Sequence, residues 1–328
     1  MKRLSLSSII MIILPFLMIL LVWNCSEGDS TLDGDTDSVV DGDEESALDG
    51  DDDVDQGIAD GDLDAEEDIA AGPAVFAVLS DTHIYMTDEP NNLILKEAGA
   101  IFNASDPPVE FVVLTGDIIH DLFCVEGVNC QEMTIIKVYR SIIEEHFDMP
   151  VYSVLGNHDN RFFDTFGSND LPLQLWLDAF EGSDSFPAPY YVVEHKGMNF
   201  VMMFCSDMAY DHDSNDKCNF GEEQLDWLKG LLQTGKPAVL FWHQHLFPNK
   251  ESDINNPIFP IVQQYKDVIK GVFMGHGHIF KKVVWEGVPF METGACSGKD
   301  EPIYHMVQMN PADGSFEILN KDDIQYRD

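Results

Sequence analysis

The chain has 328 residues, 45% of them hydrophobic, enough to build the core of one large α/β domain or two smaller ones. Its 59 acids against 18 Lys and Arg leave a formal net charge of −41, which argues against nucleic acid as a partner, because binding a phosphate backbone needs a basic face. The acidity is uneven: twenty Asp and Glu fall between Glu27 and Asp68, and no Lys or Arg occurs from Leu4 to Leu95.

Residues 1–25 place Lys2 and Arg3 ahead of an apolar run that stops at Asn24 and Cys25. This is the pattern of an export signal, and the cysteine at its end predicts the lipoprotein type, in which Cys25 is lipidated after cleavage. Trp23 and Asn24 stand where such signals carry small residues, so an uncleaved membrane anchor is the competing reading. Both place the rest of the chain outside the cytoplasm, tethered at the cell envelope or surface.

Residues 26–71 are rich in Asp and Gly and lack aromatic side chains. Such a segment buries too little surface to offset its ordering entropy, and its like charges extend it, so a disordered acidic spacer is expected. Its Asp-Gly-Asp units lack the twelve-residue ligand spacing of a calcium loop, which leaves weak calcium binding as the lesser alternative.

From about residue 72 the pattern changes to apolar runs alternating with helical stretches. "AVFAVLS" (74–80), "VEFVVLTG" (109–116), "PVYSVLG" (150–156), "PAVLFW" (237–242) and "GVFMG" (271–275) are short enough, and apolar enough, to be strands buried on both faces. Between them, "EMTIIKVYRSII" and "GEEQLDWLKGLL" carry apolar residues at helical spacing. "YYVVEHKGMNFVMMFCSD" and "IFKKVVWEGVPFMETGACS" read as strand pairs, which predicts a second sheet. One domain is expected over residues 72–328. Among the cysteines after Cys25, Cys124 with Cys130 and Cys205 with Cys218 are candidate disulfides, leaving Cys296 over.

The strand ends carry the chemistry. Asp81, Thr82 and His83 follow the first run, Asp117 and His120 the second, Asn157, His158 and Asp159 the third, His243 and His245 the fourth, and His276 and His278 the fifth. Seven of the eleven histidines lie here. In sheets joined by crossover helices the ligand site lies beyond the carboxyl ends of the strands, so five such ends argue for one shared site. Carboxylate, amide and imidazole without thiolate suit Mn²⁺, Fe²⁺ or Zn²⁺, and the donors outnumber what one ion takes from protein. Two divalent transition-metal ions sharing a bridging carboxylate would use them.

"DTH", "GDIIH", "GNHD", the strand ending in His243, and "GHGH" resemble, in that order, the five motifs of the calcineurin-like metallophosphoesterases. The resemblance implies an α/β fold, a four-layer α/β/β/α sandwich of two mixed sheets, with a dinuclear metal site. It implies that Asp81, His83 and His278 bind one ion, Asn157, His243 and His276 the other, and that Asp117 bridges. His158 is then the catalytic residue that meets the phosphate or protonates the leaving oxygen, with Asp159 orienting it. His120 stands where purple acid phosphatases carry a metal-binding Tyr, and a role behind the ligands is expected of it. His245 and Arg161 are candidates for lining the pocket or gripping phosphate. The function implied is an exported, membrane-tethered hydrolase of small phosphoesters, mono- or diester, using metal-activated water. A surface binding or scaffold protein that keeps the fold without activity is the alternative, though no expected ligand is missing.

Overall fold

The computed structural model describes residues 72–86, 89–120, 132–159, 170–205, 218–250 and 253–327. Cys25 and the export signal, the acidic spacer, the Cys124–Cys130 pair and Arg161 lie outside these residues. Among the described residues no helix is long and apolar enough to cross a membrane.

The first half of the domain runs β1 (Ala74–Leu79), α1 (Pro90–Asn103), β2 (Phe111–Thr115), α2 (Glu132–His146), β3 (Val151–Val154) and α3 (Asp170–Ala179). It continues with β4 (Tyr191–His195), β5 (Met198–Met202), α4 (Glu222–Leu232), β6 (Ala238–Phe241), α5 (Ile258–Gln264) and β7 (Ile269–Met274). It closes with β8 (Lys281–Trp285), β9 (Val288–Glu292), β10 (His305–Met309) and β11 (Phe316–Ile318). All five runs expected as strands are strands, and both helical stretches are helices.

Two mixed sheets result, ordered β11-β10-β1-β2-β3 and β4-β5-β6-β7-β9-β8. Strands β1, β2 and β3 are parallel, as are β5, β6, β7 and β9, while β10 and the two hairpins run antiparallel. The β4–β5 and β8–β9 hairpins each turn through a two-residue loop with positive φ at both positions, Lys196-Gly197 and Glu286-Gly287. That geometry matches the right-handed twist of the strands it joins.

Period-two alternation divides the second sheet between two cores. Phe200, Met202, Val239, Phe241 and Phe273 face the first sheet, whereas Val201, Leu240, Val272 and Met274 pack with Leu225, Leu228 and Leu232 of α4 and with Ile258 and Val262 of α5. Helices α1, α2 and α3 contribute Leu95, Phe102, Tyr139 and Trp176 to the first core. The layers are therefore α/β/β/α. Between the sheets the Phe76 ring stacks on Phe111 at 5.2 Å and meets Phe200 at 5.3 Å and Phe273 at 6.0 Å edge-on. Truncating a buried phenylalanine to alanine costs about 3–5 kcal/mol, so these rings are a principal adhesive between the sheets.

The register sets the site. Leu79 pairs with Leu114 and Thr115 with Val154 in one sheet, and Phe241 pairs with Phe273 in the other. The carboxyl ends of β1, β2 and β3 thus finish level, as do those of β6 and β7. A disulfide joins Cys205 to Cys218 beside β5, and Cys296 is free and buried.

Candidate metal centre

The loops that leave these strand ends are held in a costly conformation. Asp81, His83, Asp117, His276 and His278 have φ of 53°, 43°, 48°, 74° and 58°. Non-glycine residues rarely adopt this left-handed region, and outside the two hairpin turns no other described non-glycine residue does. Neighbouring loops impose it: Asp81 N–H donates to Gly116 O at 3.0 Å, His83 N–H to Asp117 O at 3.0 Å and Gly275 N–H to His243 O at 3.0 Å. Close approach adds to the constraint. A Cβ on Gly275 would fall 1.7 Å from Ser80 Oγ, and one on Gly156 would fall 2.3 Å from Asp117 Oδ1.

One donor group comprises Asp81, His83 and His278, and a second Asp117, His243 and His276, each with its ligand atoms within 4.8 Å of one another. In the first, Asp81 Oδ2 accepts from Ser80 Oγ at 2.6 Å and His276 N–H at 3.0 Å. Its other oxygen, Oδ1, is turned to His278 Nε2 at 3.1 Å and His83 Nε2 at 4.0 Å. In the second, Asn157 Oδ1 lies 3.1 Å from His243 Nε2 and 3.0 Å from His276 Nδ1. His243 Nδ1 donates to Thr115 O at 2.7 Å, which orients the ring so that Nε2 faces inward. Asp117 stands between the groups: its Oδ2 is 3.2 Å from His243 Nε2 and 4.0 Å from His83 Nε2, while Oδ1 accepts His158 N–H at 2.8 Å.

The donors fit a metal. Both ring nitrogens of His83 are buried without a hydrogen-bond partner, and Asp81 Oδ1 has only His278 Nε2 at 3.1 Å, an arrangement that is costly unless a cation or water satisfies it. The charges also compensate one another. Burial alone would raise the Asp117 carboxyl, but the adjacent His243 holds it well below the usual carboxylate range. Burial would lower His243, and the Asp117 and Asp81 charges instead push it up to about 10. His83 goes the other way, lowered to about 4 chiefly by burial.

The remaining residues sort by geometry. His158 Nδ1 contacts the carbonyl oxygen of His120, and its Nε2 lies 4.0 Å from Asp117 Oδ2, at the edge of the centre. The expectation that Asp159 orients this ring is corrected. Its carboxylate instead accepts three backbone N–H groups, from Gly156 at 2.8 Å, Ile119 at 2.9 Å and Ile118 at 3.1 Å. Asp159 therefore ties the Asp117 loop to the Asn157–His158 loop. Its burial and the nearby Asp117 charge raise it to about 7 despite those bonds. The His120 ring lies 5.6 Å from that of His83 and stacks at 5.8 Å on His158, and the ligand nitrogens of the three also fall within 4.8 Å of one another. The half-buried His245 ring is 4.9 Å from His276, beside the second group but outside it. Sequence reasoning passed over Ser80 and Glu292. Glu292 is buried behind Gly277, where a Cβ would fall 1.9 Å from its Oε1, and burial with the Asp81 charge raises it to about 7.

Fold and site together define a metal-dependent phosphoesterase: the chain belongs to the calcineurin-like phosphoesterase family, whose model matches residues 74–280. That family uses dinuclear divalent metal centres, and the chain is a phosphoric ester hydrolase. Among individual relatives, it is 23% identical over 218 residues to a probable cyclic nucleotide phosphodiesterase of Colwellia psychrerythraea, covering 63% of this chain and 72% of that protein. Among solved structures it resembles a dimetal phosphatase from Danio rerio, with a TM-score of 0.52 and 15% identity over 73% of this chain and 96% of that one.

Proposed function

We propose that this chain is an exported, membrane-tethered hydrolase of phosphoesters, with phosphodiesters as its leading substrate class. The observation that carries the chemistry is the placement of Asp117 Oδ2 between His243 of one donor group and His83 of the other, where Asn157 adds a fifth strand end to the four that supply the two groups. Asp81, His83 and His278 would hold one divalent ion, Asn157, His243 and His276 the other, and Asp117 both. Bound there, the ions supply Lewis acidity and a nucleophilic water at neutral pH.

The chain's own residues do the rest. Thr115 O orients the His243 ring, and Asp159 keeps the Asp117 and His158 loops in register. His158 has Nδ1 turned to the His120 carbonyl, so in its cationic form Nε2 carries the second proton. With Nε2 4.0 Å from Asp117 Oδ2, His158 would donate that proton to a leaving oxygen. The diester preference rests on the name of the Colwellia relative, a probable cyclic nucleotide phosphodiesterase. The test is the full chain in detergent, stripped of metal and reloaded with Mn²⁺, Zn²⁺ or Fe²⁺, on bis-nitrophenyl phosphate and nitrophenyl phosphate. Metal-dependent turnover that is faster on the diester is expected. A chain that holds two ions and cleaves neither ester would return the scaffold reading.

The tether rests on the sequence of residues 1–25 and the acidic spacer of residues 26–71, which would carry the enzyme clear of a membrane surface. With Cys25 lipidated, Cys25→Ser is expected to shift the protein from the detergent phase to the aqueous phase, or to stall its processing. Unchanged mature mass and partitioning would favour the uncleaved anchor.

A further inference from the structure

His83 is held differently from His243. The His243 ring is oriented by its own bond to Thr115 O, whereas neither ring nitrogen of His83 has a hydrogen-bond partner and the residue is only 6% exposed. Its ring packs edge-on against His158 at 4.7 Å and against His120 and His278 at 5.6 Å, and the backbone that aims it into this packing sits at a φ of 43°. On the amino side the Asp117 carbonyl holds it through His83 N–H at 3.0 Å. On the carboxyl side two consecutive amides from the first turn of α1 take over. Asn91 Nδ2 donates to His83 O at 2.9 Å, while Asn91 Oδ1 accepts Gly298 N–H at 3.0 Å. Asn92, 1% exposed, closes both ends of one residue: its Oδ1 accepts Tyr85 N–H at 2.9 Å and its Nδ2 donates to Tyr85 O at 2.8 Å.

Pro90 opens the helix with a fixed φ, so the two amides project from a rigid start. The segment after β9 is bound to the same loop from the other side, Cys296 N–H to Ser80 O and Ser297 N–H to Asp81 O, each at 3.0 Å. Through Gly298, Asn91 joins that segment to His83.

We infer that Asn91 and Asn92 are positioning residues for the first metal seat, aiming the His83 ring through the main chain, Asn91 at the His83 carbonyl and Asn92 at Tyr85 two residues on, where His243 uses an imidazole hydrogen bond instead. This rests on His83 being a metal ligand. Metal-ligating side chains are commonly oriented by outer partners whose loss costs roughly 10–100-fold in metal affinity. Here that partner acts on the main chain, so the cost should fall on the seat containing His83 and spare the one built on Asn157, His243 and His276.

The test is a Mn²⁺ titration of the full chain, read by the EPR spectrum, which distinguishes a coupled pair from a single ion. Wild type should reach two ions with a coupled spectrum. Asn92→Leu, which removes both bonds at similar volume, should weaken one ion by roughly 10–100-fold and leave an isolated-ion spectrum at Mn²⁺ levels that saturate wild type. Asn92→Asp, which keeps the acceptor for Tyr85 N–H and loses the donor, should fall between, as should Asn91→Ala. If Asn92→Leu does not fold, as read by circular dichroism without metal, the other two variants decide. Folded variants that bind both ions as wild type does, or that weaken both equally, overturn the inference. Wild type that binds no Mn²⁺ overturns instead the metal reading beneath it.

Discussion

Asp117→Asn should leave the chain with far less than the two transition-metal ions expected of wild type, and both seats should empty together. The reason is geometric: Asp117 Oδ2 lies 3.2 Å from His243 Nε2 in one group and 4.0 Å from His83 Nε2 in the other. An amide of the same shape keeps an acceptor for His158 N–H but removes the charge facing both groups. The loss should exceed the roughly 10–100-fold that removal of an outer partner costs, and activity should fall with metal content. Elemental analysis after gel filtration checks it. Loss of one ion with retention of the other would mean that Asp117 serves a single seat.

His158→Ala should do the reverse, keeping the metal while losing turnover. The backbone N–H that holds Asp117 Oδ1 at 2.8 Å survives the substitution, so the Asp117 carboxylate keeps its orientation. What is lost is the imidazole whose Nδ1 faces the His120 carbonyl and whose Nε2 lies beside the centre. A positioned general acid contributes about 10²–10⁴-fold, and the benefit is largest where the leaving oxygen is a poor anion. Alkyl phosphate esters should therefore lose more than nitrophenyl esters, as parallel kcat/KM measurements on the two will show. Equal losses would assign His158 to phosphate binding. Loss of an ion would make it a ligand, the outcome that its grouping with His83 and His120 makes worth measuring.

Much of this centre was legible before any fold was known. Short apolar runs ending in Asp, Asn and His mark strands whose polar residues cannot be core, and five such ends in order carry both the family and its donor set. The α/β/β/α layering follows from the family resemblance, and the Cys205–Cys218 pairing was one of two candidates. What the runs do not disclose is sheet membership. A strand buried on both faces reads alike in either sheet, so nothing in "PAVLFW" or "GVFMG" says that β6 and β7 lie opposite β1–β3, or that β10 inserts beside β1.

Asp159 shows the limit most clearly. Its place after His158 suggests a partner for the imidazole, yet three backbone N–H groups take its oxygens, two of them 40 and 41 residues away. Glu292 and the asparagines of α1 escaped notice for the same reason. Gly298 lies 207 residues from Asn91, and no local pattern records such a bond. By itself the sequence determined the residue types at the strand ends, because metal and phosphate chemistry restricts them to a few donors. Only the tertiary structure decided which oxygen or nitrogen of each faces inward. Imidazole orientation, left-handed backbone and carboxylate orientation are set by hydrogen bonds between loops that meet only when the two sheets pack.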